Sequence, residues 1–343
     1  MKAAVFTQVG GPENIHIEEV AKPSVAAHEV LIEIKACALN YFDLLVLAES
    51  DPEELNLPFW GGADIAGIVA EKGTAVTDYE VGDRVVVNPS LFCGQCEQCI
   101  SGEESQCLDY GIIGDSIPGG MAEYIAVDAA NLLKIPENLS FEEVAATPLA
   151  YQTAWRALMT RGQIKAGDDV VILGASGGVG SASIQIAKLA GARVIAITSS
   201  AEKGEQAKNS GADIVLNRNE GDYWQEIANL TNQRGVDVVI ENVGKATWSQ
   251  SIDSLKKGGR LVTYGRTSGH LVETDIKKIF WNQLSILGST MGSRQDFYQV
   301  MQLVFKGKLK PVIDSVYPLE QAADAYQRLK DGNHFGKVIV KIN

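Results

Sequence analysis

Asp169-Val-Val-Ile-Leu-Gly-Ala-Ser-Gly-Gly-Val-Gly-Ser181 is the stretch whose reading decides the fold. Its opening, through Leu173, is an apolar run of strand length, as expected of a strand covered on both faces. Gly174, Ala175, Ser176, Gly177, Gly178, Val179 and Gly180 follow as a turn of small residues that opens into a helix through Leu189. Small residues let a backbone approach a pyrophosphate, and a helix N-terminus offers it unpaired N–H groups and a positive dipole end. Ala175 stands where the first glycine of the usual G-x-G-x-x-G would be, and Ser176 where a second small residue is wanted. A merely structural glycine turn is the alternative. The strand-turn-helix context favours a dinucleotide site.

Downstream the pattern repeats. Strands are expected at Arg193–Thr198, Asp213–Leu216, Val236–Ile240 and Arg260–Tyr264, with helices over 201–210, near 222–232 and over 246–256. Such alternation predicts an α/β chain with a parallel, doubly wound sheet. Upstream the chain reads as β-rich: Glu29–Ala36 alternates like a half-buried strand, and Ala63–Ala70 and Arg84–Asn88 are short strands between glycine-rich turns. The segment 291–343 shows helices at 295–306 and 319–330 and a strand at Lys337–Lys341, and is expected to return to the first domain.

At 343 residues two domains are expected. The formal charge of −13 argues against nucleic acid or an anionic membrane as partner. The N-terminus lacks the apolar run of a signal peptide and no segment is apolar for long enough to span a bilayer, so a cytoplasmic chain is expected.

Four of the five cysteines, Cys93, Cys96, Cys99 and Cys107, share one short stretch. Four thiolates at this spacing satisfy tetrahedral zinc and leave no position for water or substrate, so the ion would do no chemistry. Two disulfides in a secreted protein are the alternative, disfavoured in a large chain with no other cysteine pair.

The end of the second strand bears on the cofactor. An NAD site generally has Asp or Glu there, to accept the ribose hydroxyls. This chain has Thr198, Ser199 and Ser200 followed by Lys203, with Arg218 after the third strand. Hydroxyls and cations suit a 2′-phosphate and favour NADPH over NADH, whereas Glu202 and a solvated reading of Lys203 favour the opposite.

A β-rich first part, a four-cysteine lobe and an Ala-Ser-Gly-Gly-Val-Gly dinucleotide turn together resemble the medium-chain dehydrogenase/reductase superfamily over essentially the whole chain. The resemblance implies a GroES-like catalytic domain over 1–150 and 291–343, a zinc lobe at about 90–110, and a Rossmann domain over 151–290. It further implies an active site in the cleft that separates them, a small-molecule substrate, and a homodimer or homotetramer, with Rossmann edge strands around 284–290 pairing in the dimer. The alcohol dehydrogenase branch carries a second zinc, and its ligand positions here hold Asn40, Ala63 and Leu149. Phe42 replaces the residue that would pass on an alcohol's proton. Leu-Asn-x-x-Asp with Gly-x-Asp-x-x-Gly is instead similar to the quinone oxidoreductase and enoyl reductase branch, although Leu47-Ala-Glu-Ser50 departs from the Arg and Tyr often found after that helix.

The expectation is therefore hydride transfer from NADPH to quinones, enones or other activated alkenes without a catalytic metal. A zinc alcohol dehydrogenase and a non-catalytic dinucleotide-binding redox sensor are the alternatives. Asn40 is expected to donate a hydrogen bond to the developing oxyanion. Tyr41 is a candidate donor of a hydrogen bond or proton, or a packing residue, and Asp43 an organiser of backbone rather than a base. Family position assigns Thr153 to the nicotinamide and Phe335 and Lys337 to the pyrophosphate. The ends of the fourth and fifth strands, Asn242, Val243 and Gly244 with Tyr264 and Gly265, are expected to face the cofactor. Trp60, Phe280 and Met291 are candidate substrate-pocket walls.

Overall fold

The structure, a computed structural model, describes residues 1–50 and 55–342. Its contacts divide the chain into two units, residues 1–150 with 293–343, and residues 151–292.

The second unit is a six-stranded parallel sheet in the order Ile214–Asn217, Arg193–Thr198, Asp169–Ile172, Val236–Glu241, Leu255–Thr263, Ser285–Gly288. In chain order this is the 3-2-1-4-5-6 arrangement of a doubly wound fold, reversing direction between the first and fourth strands. The apolar runs follow from that topology. Val170, Val171, Ile172, Val238, Val239 and Ile240 are fully buried because helices such as Gly178–Leu189 lie on the sheet faces. The fifth strand starts at Leu255, five residues before the run at Arg260, and the preceding helix ends at Asp253. A register shift opposite Val236–Val238, with Gly258 at φ +73°, lets the strand begin early despite its polar start.

The first unit is built on a seven-stranded sheet in which Glu29–Ala38 pairs with Asp64–Lys72, Tyr124–Asp128 and Lys337–Lys341. All but one of its pairings are antiparallel, and the exception, Ile313–Pro318 with Lys337–Lys341, is bridged by helix Ala322–Lys330. Ile32, Ile34, Leu39, Ile65, Val85 and Val340 fill the core beneath. Strand Ile313–Pro318 was not signalled by alternation, since it is a partly exposed edge carrying Asp314 and Ser315. The amphipathic stretch from 319 likewise divides into a 3₁₀ turn, Leu319–Gln321, and the helix proper. Among the described residues no helix is long and apolar enough to cross a membrane.

Candidate active site

The zinc lobe is local chain geometry. Gly94 at φ +72° and Gly102 at φ +80° turn the backbone where a side chain would strain it. The four Sγ atoms lie within 4.8 Å of one another, and three of the separations are 3.6, 3.8 and 4.0 Å. A regular tetrahedron with Zn–S bonds of about 2.3 Å has edges near 3.8 Å, so the set fits zinc closely. Backbone N–H groups of Cys93 and Cys96 approach the sulfurs of Cys107 and Cys93 at 3.4 and 3.3 Å, softening the negative charge. The backbone N–H of Cys99 is the leading cause that lowers the Cys96 thiol to about 6, whereas desolvation raises Cys99 to about 12. A bound dication would hold all four as thiolates.

The three positions of a second zinc are in the first unit. Asn40 begins helix Tyr41–Glu49, Ala63 is fully buried before strand Asp64–Lys72, and Leu149 lies in the first turn of helix Pro148–Trp155. An amide, a methyl and an isobutyl group do not make a zinc donor set. The place is knit together by protein groups instead. Asp64 Oδ1 accepts the Leu149 N–H at 2.6 Å, and Oδ2 accepts the Asn40 amide at 3.0 Å and the Lys337 ammonium at 2.8 Å. Lys337 also donates to Asn40 Oδ1. Lys337 is 3% exposed and Asp64 fully buried, so neither charge is stabilised by water and each needs the other. Sequence reasoning set Lys337 beside the pyrophosphate; its Nζ here is bound within the Asn40 cluster. Gly336, at φ +88° and with Val312 O 2.3 Å from a built Cβ, delivers Lys337 to that strand start.

Asp43 binds backbone, accepting Asn40 N–H and Gly62 N–H at 2.7 Å each and tying the helix start to the Gly61–Gly62 turn. Desolvation raises its carboxyl to about 6 against the pull of those two donors and of Lys337. Tyr41 is 47% exposed, so its ring is not core packing. Trp60 is held by its indole N–H on Gly119 O at 2.9 Å. Phe335 is buried, with its N–H on Asp314.

The dinucleotide turn lies in the second unit. Gly177 caps helix Gly178–Leu189 without a side chain, which leaves the first-turn N–H groups to a ligand. A Cβ on Gly180 would stand 2.2 Å from Gly174 O, so helix and strand approach too closely for alanine. The Asn242 side chain is packed against Gly174, where a built Cβ would lie 2.7 Å from its Nδ2, and its buried Oδ1 has no partner among the described residues. An orphan acceptor beside an uncapped helix start is what a hydroxyl-bearing dinucleotide would satisfy. Gly265 lies against the Asn242 backbone. Tyr264 Oη is also buried without a partner among the described residues, and desolvation, followed by the charge of Glu241, pushes its pKa up.

Glu241 escaped the sequence reading. It is fully buried and accepts from Val243 N–H, Gly244 N–H, Thr247 Oγ1 and Ser251 Oγ, which fixes the turn carrying Asn242. A carboxylate inside an apolar strand was the available signal. At the second-strand end, Ser200 caps helix Ala201–Asn209 through Lys203 N–H, and Lys203 Nζ reaches Ser199 Oγ at 3.4 Å. Thr198 is buried and accepts Arg218 N–H on its carbonyl, leaving the Arg218 side chain exposed nearby. Asn219, also unforeseen, donates to Ser199 O at 2.8 Å. Thr153 lies against Met291 Sδ at 3.7 Å, and Met291 itself is buried at φ +45°, whereas Phe280 is 63% exposed.

A zinc-braced β unit joined to a doubly wound sheet with a pyrophosphate turn defines a nicotinamide-dependent oxidoreductase. Family models agree: a zinc-binding dehydrogenase domain matches residues 178–306 and an alcohol dehydrogenase GroES-like domain residues 26–137. The chain is 37% identical to an alcohol dehydrogenase of Geobacillus stearothermophilus over 100% of both chains. It is 32% identical to an acryloyl-coenzyme A reductase of Sulfurisphaera tokodaii, over 99% of this chain and 100% of that one. A crystal structure of an NAD-dependent alcohol dehydrogenase superposes with a TM-score of 0.96 at 40% identity, covering 100% of both chains. The chain belongs to the zinc-binding medium-chain dehydrogenase/reductase superfamily.

Proposed function

We propose that this oxidoreductase reduces quinones, enones or other activated alkenes with NADPH and uses no catalytic metal. The observation that carries the reading is that the second zinc's ligand positions hold Asn40, Ala63 and Leu149, with Asn40 tied into a cluster with Asp64 and Lys337. Without a Lewis acid at that place, an alcohol's proton has no means of being acidified there. NADPH, if bound at that turn, would supply hydride chemistry toward an electron-poor carbon, and the enolate or hydroquinone oxygen so charged would take its proton from solvent. Asn40 offers that oxygen an amide N–H, a donor already in place before charge develops. The similarity to an acryloyl-coenzyme A reductase supports an alkene conjugated to a carbonyl.

For the cofactor, Ser199, Ser200, Lys203 and Arg218 support NADPH, since no carboxylate at Thr198 repels a 2′-phosphate. Gly178, Val179 and Gly180 would hold the pyrophosphate and Thr153, Asn242 and Tyr264 the nicotinamide side. For assembly, edge strand Ser285–Gly288 and helix Ile276–Asn282, with Phe280 and Trp281 exposed, support a homodimer through the sheet edge.

Alcohol dehydrogenase is the second reading, favoured by the names of a curated relative and a structural neighbour. Metal analysis and turnover separate the two. One zinc per chain and NADPH oxidation by a panel of quinones, enones and enals are expected. Two zincs with alcohol oxidation would overturn the proposal, and tight NADPH binding with no turnover of either kind would point to a sensor.

A further inference from the structure

Asn40, Asp64 and Lys337 come from three separate elements, and their chemistry fixes which way the amide points. An ammonium only donates and an ionised carboxylate only accepts. The amide oxygen therefore faces Lys337 and the amide nitrogen faces Asp64, the arrangement present in the structure. The reversed amide would set NH₂ against the ammonium and oxygen against the carboxylate, in a place where those side chains are 3% and 0% exposed. Asp64 cannot turn away, because its other oxygen is held by the Leu149 N–H at 2.6 Å. Asn40 Nδ2 carries two hydrogens and uses one on Asp64, and among the described residues the other has no partner.

We infer that Lys337 and Asp64 are positioning residues for Asn40: the ion pair locks the amide so that one N–H stays available to an oxygen gaining charge. The inference rests on the proposed role of Asn40 as donor to the substrate. The ammonium on the amide oxygen draws electron density from the nitrogen and strengthens its remaining donor, while Asp64 fixes which way the NH₂ points. A fixed donor needs no reorganisation during reaction, which is where such groups act most strongly. Lys337 thereby supplies a positive charge behind the donor without touching substrate or cofactor.

The test is a double-mutant cycle between Asn40→Ala and Lys337→Met, read as kcat, substrate KM and the Kd for NADPH, in zinc-replete protein. Lys337→Met is expected to lower kcat about tenfold or more, with NADPH affinity within about twofold of wild type. In the Asn40→Ala background the same change is expected to lower kcat no further, because Lys337 acts only through Asn40. Additive losses overturn the inference, as does a weakened NADPH Kd with kcat retained, which would return Lys337 to the pyrophosphate. Should Lys337→Met fail to fold, Lys337→Gln takes its place in the cycle. Its neutral amide still donates to Asn40, so an intermediate kcat supports the inference and wild-type kcat overturns it.

A second readout does not depend on the proposed reaction. The Asn40 side-chain amide signals in a ¹⁵N spectrum, identified by their loss in Asn40→Ala, should shift or broaden in Lys337→Met or Lys337→Gln; unchanged signals overturn the positioning role. If the wild type reduces none of the panel and oxidises alcohols instead, the functional proposal fails. The spectrum, and the same cycle run on the alcohol reaction, still judge Lys337 separately.

Discussion

Asp43 is the group whose titration the structure makes measurable. It is fully buried, with its carboxyl raised to about 6 from an ordinary 3.8, desolvation being the main cause. A carboxyl that binds its proton more tightly in the folded state adds stability below its unfolded pKa and loses it as pH rises through the folded one. From 3.8 to about 6 the full loss is about 3 kcal/mol, and between pH 4.5 and pH 7 it is about 2 kcal/mol. Asp43→Asn removes the titration. Its amide oxygen still accepts one N–H, but its NH₂ faces the other donor of Asn40 and Gly62, at a constant cost of about 1–3 kcal/mol. Urea unfolding of the two proteins, each at pH 4.5 and pH 7, separates the parts. Zinc release at low pH affects both proteins equally and cancels in the difference. The stability of wild type relative to Asp43→Asn should be about 2 kcal/mol greater at pH 4.5 than at pH 7. A difference that does not move with pH would refute the burial argument. One that grows toward pH 7 would mean that the two N–H donors and Lys337 outweigh desolvation.

Four further outcomes are expected. Asn40→Ala should lower kcat about 10²–10³-fold with NADPH binding nearly unchanged, measured by steady-state kinetics and cofactor fluorescence. Lys203→Ala with Arg218→Ala should lower NADPH affinity at least about tenfold more than NADH affinity, and an unchanged preference in titration refutes that phosphate site. Gly180→Ala should abolish cofactor binding or folding, because its Cβ would meet Gly174 O at 2.2 Å and Ala175 Cα at 2.7 Å, backbone atoms that cannot swing aside. Cys99→Ser should lose the zinc and lower the thermal midpoint before it lowers kcat per folded enzyme, checked by metal analysis and calorimetry.

The doubly wound sheet was legible because its strands are buried on both faces. Asp169–Ile172 and Val236–Glu241 therefore announce themselves as apolar runs that need no partner to be recognised. Helix Gly178–Leu189 was legible for a related reason, since its glycines and its buried stripe both follow from packing on that sheet. Edge strand Ile313–Pro318 was not, because one partly exposed strand has no face that must be apolar. The cysteine set could be read since four ligands within fifteen residues meet by local turns alone. Asn40 could be named from the sequence, but what holds it could not. Asp64 lies 24 residues away and Lys337 lies 297 away, and only strand pairing brings them together. Glu241 went unnoticed because its partners, two backbone N–H groups and the hydroxyls of Thr247 and Ser251, belong to the turn and helix it organises and form no motif.

Strand Lys337–Lys341 lies between Ile313–Pro318 and Glu29–Ala38, and this has a consequence for synthesis on the ribosome. Residues 151–292 are contiguous and contain their whole sheet, so that unit has everything it needs once its own segment has emerged. Residues 1–150 do not. At about 5–20 residues per second, the Ala36–Ala38 end of the Glu29–Ala38 strand waits on the order of fifteen to sixty seconds for its neighbour. During that interval Asp64 and Asn40 have no ammonium to answer them, and apolar core surface remains uncovered. The nascent chain is thus exposed to mispairing in its first half while its middle is already folded, and a chaperone that shields an open strand edge would act on this protein during that window.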